Sequence, residues 1–399
     1  MIMRQALAFA LSIAFIGVIR AQPDRFAKID AAVEKSIAAG EMPGCVVLVL
    51  HKDAVVYRKA FGLRAKQPAE EKMTPDTIFD LASLTKPIAT ATSIWKLIED
   101  GKLKRDDPVA KHWPAFAANG KDEVTIEQCL LHTSGLIADN PLSDYEDGKT
   151  KALERIAELK LLDPPGTKFR YSDVGYIALG YLVERLTGKR LDEALWDTVV
   201  FPLTEGTMQL EFMTPFVKDS SRYPMRRVDV SRAESAIAPT TKENGEWLRG
   251  IVHDPRSRKL DGLAGHAGLF GNAYDLTRYC RMILNGGEFV DSHSKRRRIL
   301  KPETVKLMTE PVKVPGGGLR ARGWDCDSAY SKNRGEVFPK GKSFGHTGFT
   351  GTSIWIDPGS QTAVIFLSNR LHPDGKGNVT KIRGEVATLA ARALGLYNE

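Results

Sequence analysis

Two strand–turn–strand patterns stand near opposite ends of the chain with helical spacing between them, and this arrangement limits the folds available. Near the N-terminus, residues 45–50 (CVVLVL) and 54–61 flank the polar turn His51-Lys52-Asp53. β-Branched runs around a short polar turn predict a hairpin. Near the C-terminus, residues 352–357 (TSIWID) and 362–368 (TAVIFLS) flank Pro358-Gly359-Ser360, which predicts a second one. An amphipathic stretch follows over 382–396. In between, residues 88–99, 126–131, 151–161, 174–186 and 191–199 carry helical spacing broken by Gly and Pro. The economical architecture is α+β: an antiparallel β-sheet drawn from both chain ends, flanked by helices, with an inserted helical domain. Sheet material is expected at about 22–82 and 262–399, and helical material at about 83–261. Residues 205–260 have poor periodicity and receive no assignment. A cleft between the two parts is the expected ligand site.

At 399 residues, 42% hydrophobic and 27% charged, the chain is long enough for one large domain or two coupled ones. Its first segment reads separately. Met1 to Arg4 carry one positive charge, residues 6–19 (ALAFALSIAFIGVI) are uninterrupted by polar groups other than Ser12, and Ala21 precedes Gln22. The run is shorter than the roughly 20 residues of a membrane-spanning helix. Residues 1–21 therefore read as a secretory signal peptide, rather than an uncleaved anchor, and the rest as a periplasmic or secreted protein without stable membrane insertion. No cysteine follows the run, which argues against lipid attachment there. Loss of Arg4 and Arg20 lowers the formal charge from +8 to +6. Such mild basicity suits anionic surroundings and is too weak to imply nucleic acid. Lys295-Arg296-Arg297-Arg298 reads as a solvated loop, with an anionic docking site as the alternative. Export permits disulfides, but Cys45 and Cys129 sit in apolar stretches that suit buried thiols. The four cysteines and eight histidines show no metal-ligand rhythm, so no metal or cofactor is expected.

Ser83-Leu84-Thr85-Lys86 puts a hydroxyl and an amine on one helical face, one turn apart. The same Ser-x-x-Lys spacing recurs at Ser93–Lys96 and Ser292–Lys295, so context must choose. Ser83 follows Phe79-Asp80-Leu81-Ala82 and opens a helix, where free amides favour developing negative charge. Pro87 falls in the first turn, where its missing N–H is harmless. Ser93 lies mid-helix and Ser292 in the basic loop. Ser83 alone is placed for attack; the bland alternative is a capping serine. A serine hydroxyl needs a base, and Lys86 serves if desolvation and nearby positive charge lower its pKa.

A tyrosine hydroxyl beside that amine would share the proton traffic. Of two Tyr-x-Asp segments, Tyr145-Glu146-Asp147 lies in an acidic loop expected to be exposed. Tyr171-Ser172-Asp173 follows Pro164-Pro165-Gly166-Thr167 and enters the apolar helix at 174–186, a rigid mount. Tyr171 is the choice, with simple packing as its alternative. The third element is Gly345-His346-Thr347-Gly348, just before the strand at 352–357, where small residues let a backbone edge approach a ligand. The amides of Ser83 and Phe349 are then candidate oxyanion donors.

In order and separation, Ser83-Leu84-Thr85-Lys86, Tyr171-Ser172-Asp173 and His346-Thr347-Gly348 resemble the three motifs of the serine β-lactamase and penicillin-binding protein superfamily. The likeness runs from about Phe26 to the C-terminus. It is nearest to the class C β-lactamase-related branch of low-molecular-weight penicillin-binding proteins, family VIII esterases and muropeptide amidases. Residues 77–82 (TIFDLA), 130–136 (LLHTSGL), Val252-His253-Asp254 and 262–271 (GLAGHAGLFG) add to it. The resemblance implies a β-lactamase/transpeptidase-like fold and a serine hydrolase that forms an acyl-enzyme on Ser83. Lys86 and Tyr171 would share base and acid work, and Asp173, His346, Thr347, Gly348 and His266 would meet a small-molecule or peptidoglycan-derived substrate. Two positions depart from the family pattern. Asp173 replaces an Asn, and an ionised carboxylate cannot donate to a substrate carbonyl. His346 replaces a Lys, and histidine is mostly neutral at pH 7. Both put β-lactam hydrolysis and carboxylate-terminated peptides in doubt, and Arg320 or Arg322 is a candidate replacement charge. His266 reads as structural hydrogen bonding or substrate contact, and His132 as a cap or packing residue. The reading is a hydrolase of a cell-wall peptide, of carboxypeptidase or amidase type. The alternatives are an esterase and a non-catalytic penicillin-binding-like sensor.

Overall fold

A computed structural model describes residues 25–204, 210–212, 236–290 and 295–397. The segment read as a signal peptide, Ser292, and most of the unassigned stretch up to residue 235 lie outside the described residues. The strands are β1 (Gly44–His51), β2 (Ala54–Ala65), β3 (Glu71–Lys72), β4 (Val312–Val314), β5 (Gly318–Arg320), β6 (Asp325–Asp327), β7 (Phe344–Thr347), β8 (Ser353–Asp357) and β9 (Thr362–Ser368). They form one sheet in the order β4-β5-β6-β7-β8-β9-β1-β2-β3, antiparallel at each pairing. The two chain ends meet at β1 and β9, from Cys45 opposite Ser368 to His51 opposite Thr362. The main helices are α1 (Ala27–Ala38), α2 (Thr92–Glu99), α3 (Ile126–Leu130), α4 (Gly148–Glu158), α5 (Asp173–Thr187), α6 (Leu191–Leu195), α7 (Ala273–Leu284) and α8 (Thr380–Ala393).

The pleat explains why β1 is apolar throughout. Successive side chains alternate between faces, and both faces of this strand are covered. Val46, Leu48 and Leu50 enter one core with Ile365 and Leu367 of β9. Cys45, Val47 and Val49 enter a second with Val364, Phe366, Ile29 and Val33 of α1, and Ile382, Val386 and Ala390 of α8. The first core continues without a break into the helical region, through Ile94 and Trp95 of α2 and Val174, Ile177 and Leu182 of α5. The four cysteines are free and buried, so no disulfide braces these cores. Among the described residues no helix is long and apolar enough to cross a membrane.

Three short strands, Phe79–Asp80, Leu269–Gly271 and Glu211–Phe212, make a small second sheet. Segments of two or three residues leave no readable periodicity, so no local signal announced them. Their consequence is positional: they hold residues 79–80 against 269–271, immediately before Ser83.

Candidate active site

The approach to Ser83 is fixed by a buried carboxylate. Asp80 Oδ1 accepts the Ala82 N–H at 2.8 Å and Oδ2 accepts the His253 N–H at 2.7 Å. Burial pushes this carboxyl up to about 6, while those two N–H groups pull it back. Ala82 takes φ 47°, a left-handed conformation that a non-glycine residue holds only when its surroundings enforce it. A tight turn over Ala82–Leu84 follows, and the Thr85 hydroxyl ties it by donating to Ala82 O at 2.6 Å and accepting the Leu269 N–H at 3.0 Å. A wider π-type turn at Lys86–Ala91 then leads into α2. Ser83 is the one residue from 81 to 90 that is not buried. The competing Ser93 is buried in α2, and Lys96 is occupied by Glu99 and Asp100.

Lys86 is fully buried, and its ammonium is saturated by acceptors. It donates to Ser83 Oγ at 2.9 Å and His266 O at 3.0 Å, and lies 2.6 Å from Asp173 Oδ1. Tyr171 stands beside them: the Lys86 ammonium lies 4.9 Å from its ring centroid, and both Ser83 and Lys86 act on its phenol. The sequence reading required a lysine whose pKa is lowered, and the structure reverses this. Burial works to lower it, but the charge of Asp173, together with Tyr171, outweighs burial and holds Lys86 above its usual range. Burial pushes the Tyr171 phenol up as well, against the opposing pull of Lys86. The two groups share one proton problem and titrate as a pair.

Tyr171 is mounted by His132. This buried imidazole stacks on the phenol ring at 4.3 Å between centroids, and its Nδ1 accepts the Ser172 N–H at 3.0 Å. Burial, with Arg320, Lys86 and His346 nearby, holds His132 well below its usual range, so it remains a neutral acceptor. Ser172 in turn caps α5, its Oγ accepting the Gly175 N–H at 3.1 Å and donating to Ile137 O at 2.6 Å. His132 is thus a packing residue with a positioning consequence that sequence reading did not supply. Tyr145, expected in an exposed loop, is buried and donates to Asn140 Oδ1 at 2.6 Å; its acidic neighbours Glu146 and Asp147 are exposed.

The third segment arrives on β7. Gly348 admits the close approach: a Cβ there would stand 2.1 Å from Thr352 Oγ1 and 2.5 Å from Leu81 O. Thr352 and Thr350 complete the junction by donating to Leu81 O at 3.0 Å and Asp80 O at 2.7 Å. His346 is buried; burial and then the Lys86 and Arg320 charges hold it well below its usual range, leaving it neutral. Its Nδ1 lies 2.9 Å from Thr347 O. A cleft of about 580 Å³ opens here, lined by Ser83, Tyr171, His346, Thr347, Gly348 and Phe349 among others. Phe349 is 62% exposed at its rim.

Two residues expected to face substrate stand elsewhere. Asp173 and His266 do not line the cleft. Both are engaged with Lys86, Asp173 through its carboxylate and His266 through its carbonyl, while the His266 ring bonds Asp254 Oδ1 at 2.8 Å. Asp173, Asp254 and His266 bring potential ligand atoms within 4.8 Å of one another, the one such group among the described residues. The Lys86 ammonium already supplies the counter-charge there.

The cleft is strongly cationic. Arg320 lines it, paired with Asp325 at 3.1 Å. Arg322, the other candidate, is instead consumed by Glu127 at 2.6 Å and Glu310 at 3.1 Å. The sequence reading missed Arg370 and Arg383, which also line the cleft. Arg370 donates to Phe349 O at 2.8 Å, and Arg383, 9% exposed, donates to Gly348 O at 2.8 Å. Neither has a carboxylate partner among the described residues. A signal for Arg383 existed: it occupies the buried stripe of α8 with Ala387, Ala390 and Ala391, where a charge is out of place.

A family model described as Beta-lactamase matches residues 29–387. The chain belongs to the β-lactamase family. This family member is a serine hydrolase. It is 32% identical over 377 residues to an Escherichia coli O157:H7 protein named "Putative D-alanyl-D-alanine carboxypeptidase", covering 88% of this chain and 83% of that one. It is 30% identical over 368 residues to the N-acetylmuramyl-L-alanine amidase of Bacillus subtilis (strain 168), covering 86% and 81%. Among solved structures, EstCE1, a hydrolase with promiscuous acyltransferase activity, superposes with a TM-score of 0.70 at 23% identity, covering 92% of this chain and 98% of that one. That last likeness supports the fold.

Proposed function

We propose that this β-lactamase-family hydrolase cleaves carboxylate-bearing cell-wall peptides through an acyl-enzyme on Ser83. The observation that carries the reaction is the contact of Ser83 Oγ with Lys86 Nζ at 2.9 Å, with the Tyr171 ring 4.9 Å from that ammonium and lining the same cleft as Ser83. Loss of one proton from the Lys86–Tyr171 pair creates the base. That base takes the Ser83 proton as Oγ bonds to the substrate carbonyl carbon, then returns it to the departing amine. Water repeats the cycle on the acyl-enzyme. The Ser83 and Phe349 amides are the proposed donors to the oxyanion, an arrangement worth several kcal/mol per donor in a dry site (about 3–4).

Substrate class follows from charge. The neutral His346 supplies none, but Arg370 and Arg383 border the same cleft without carboxylate partners among the described residues, so a substrate carboxylate fits there. The names of the carboxypeptidase and amidase relatives point the same way. Small-ester hydrolysis is the second reading, favoured by the neutral third motif. The test is paired turnover of a nitrophenyl ester and a muropeptide. Ser83→Ala is expected to lower both by at least about 10³-fold. Undiminished turnover by that variant removes the mechanism, and turnover of the ester alone selects the second reading. The proposed site of action remains periplasmic or secreted, as the leader pattern in the sequence implies.

A further inference from the structure

A second cavity, about 870 Å³, lies on the other side of α8, between that helix, α1 and the 328–336 segment. It adjoins the cleft. Asn378 and Thr380, at the start of α8, line both spaces. The helix is the dividing wall, and its spacing shows this. Thr380 and Arg383 border the cleft, whereas Lys381, Glu385, Thr388 and Arg392, spaced as one helical stripe, border the outer groove. The groove floor depends on close packing of α8 against the turn at Ser331–Arg334: a Cβ on Gly384 would stand 2.4 Å from Lys332 O.

The charges of the groove are unequally matched. Arg392 is paired with Glu336, Arg334 with Asp327, and Glu41 is bonded to Ser36. Lys35, Lys332 and Lys381 are exposed and have no acidic partner among the described residues. Glu385, and Glu41, whose bond to the neutral Ser36 hydroxyl leaves its charge in place, oppose them. A ligand extending from the Ser83 cleft across Asn378 and Thr380 would therefore meet a small excess of positive charge in the groove, concentrated at Lys332 and Lys381.

Resting on the proposed cell-wall reading, we infer that this groove is an extended subsite that holds the portion of an acidic peptide substrate distant from the scissile bond. Length is the discriminating property. An α-helix with its side chains is about 10 Å across, and an extended peptide covers about 3.3 Å per residue. A substrate must therefore reach about three residues beyond the cleft to occupy the groove. A nitrophenyl ester cannot.

The test compares three substrates: a nitrophenyl ester, a short amide, and a long amide with the same scissile bond extended by four residues carrying carboxylates. In the double variant Lys332→Glu/Lys381→Glu, KM for the long amide is expected to rise about three- to tenfold, with kcat little changed and a weaker dependence on salt. The ester and the short amide are expected to keep their parameters, which also shows that the variant is folded. Glu385→Lys is expected to lower KM for the long amide. Cleavage of the long amide with the same KM in both variants as in the native chain overturns the groove alone. Turnover of the ester with neither amide cleaved overturns the cell-wall reading, and the groove with it.

Discussion

The carboxylate of Asp173 lies 2.6 Å from the Lys86 ammonium, and in the proposed mechanism this contact sets when Ser83 can lose its proton. An ionised neighbour at that distance stabilises the charged amine, so Lys86 is held above its usual range despite complete burial. Asp173 raises the Tyr171 phenol too. In that mechanism each group must shed its proton before it can act as a base, so turnover is expected to rise with pH. Asp173→Asn removes the negative charge, lowers both pKa values, and should move the ascending limb of the kcat/KM profile toward lower pH. A displacement of one pH unit would raise kcat/KM about tenfold on the acid side. A limb that stays in place would show that Asp173 does not govern the pair. At this scale the sequence was legible where chemistry demands a local spacing, as with Ser83 and Lys86. It was not legible for His132 and Arg370, whose roles come from contacts made across the fold, and for Arg383 the pattern shows only a charge out of place on an apolar stripe, not the carbonyl it meets.

Among the elements, the junction between β7 and the segment before Ser83 is the most exacting. Gly348 lies where any side chain would strike Leu81 O and Thr352 Oγ1. Gly348→Ala must therefore push the end of β7 away from the nucleophile, at a stability cost of about 1–3 kcal/mol. A misplacement of about 1 Å is worth about 10²-fold in rate. The expected outcome is a folded variant with lower Tm and kcat reduced about that much, read by thermal melting and ester turnover. Unchanged kcat would mean that β7 does not bear on the reaction. The two hairpins and α5 were readable in advance because each is long enough to show its period, and the end of α5 is marked by Gly188 at φ 67°. The strands at 79–80, 211–212 and 269–271 were not, since two or three residues fit any pattern. The long-range ties that orient Ser83 are therefore invisible locally.

At the scale of the whole molecule, a sheet joined from both chain ends is buried on two faces, and its continuity with the helical core is what brings residues 83, 171 and 346 together. No covalent brace contributes. Cys45, Cys129, Cys280 and Cys326 are free and buried, and burial pushes the Cys129 thiol up to about 12. The native protein should therefore give no reaction with an aromatic disulfide reagent and four equivalents after denaturation, with a Tm indifferent to reductant. A Tm that falls on reduction would reveal a disulfide and a different packing of these cores. The sheet was legible because both hairpins carry their own turn signals, whereas pairing of β1 with β9 from opposite ends of the chain could only be inferred from their shared apolarity. The central claim, that three distant segments activate one hydroxyl, is tested most directly by labelling the native enzyme with a fluorophosphonate and mapping the adduct by mass spectrometry. One adduct on Ser83, formed faster as pH rises and absent from Lys86→Ala or Tyr171→Phe, is the predicted result. An adduct on Ser93 or another hydroxyl, or equal labelling of those variants, would contradict it.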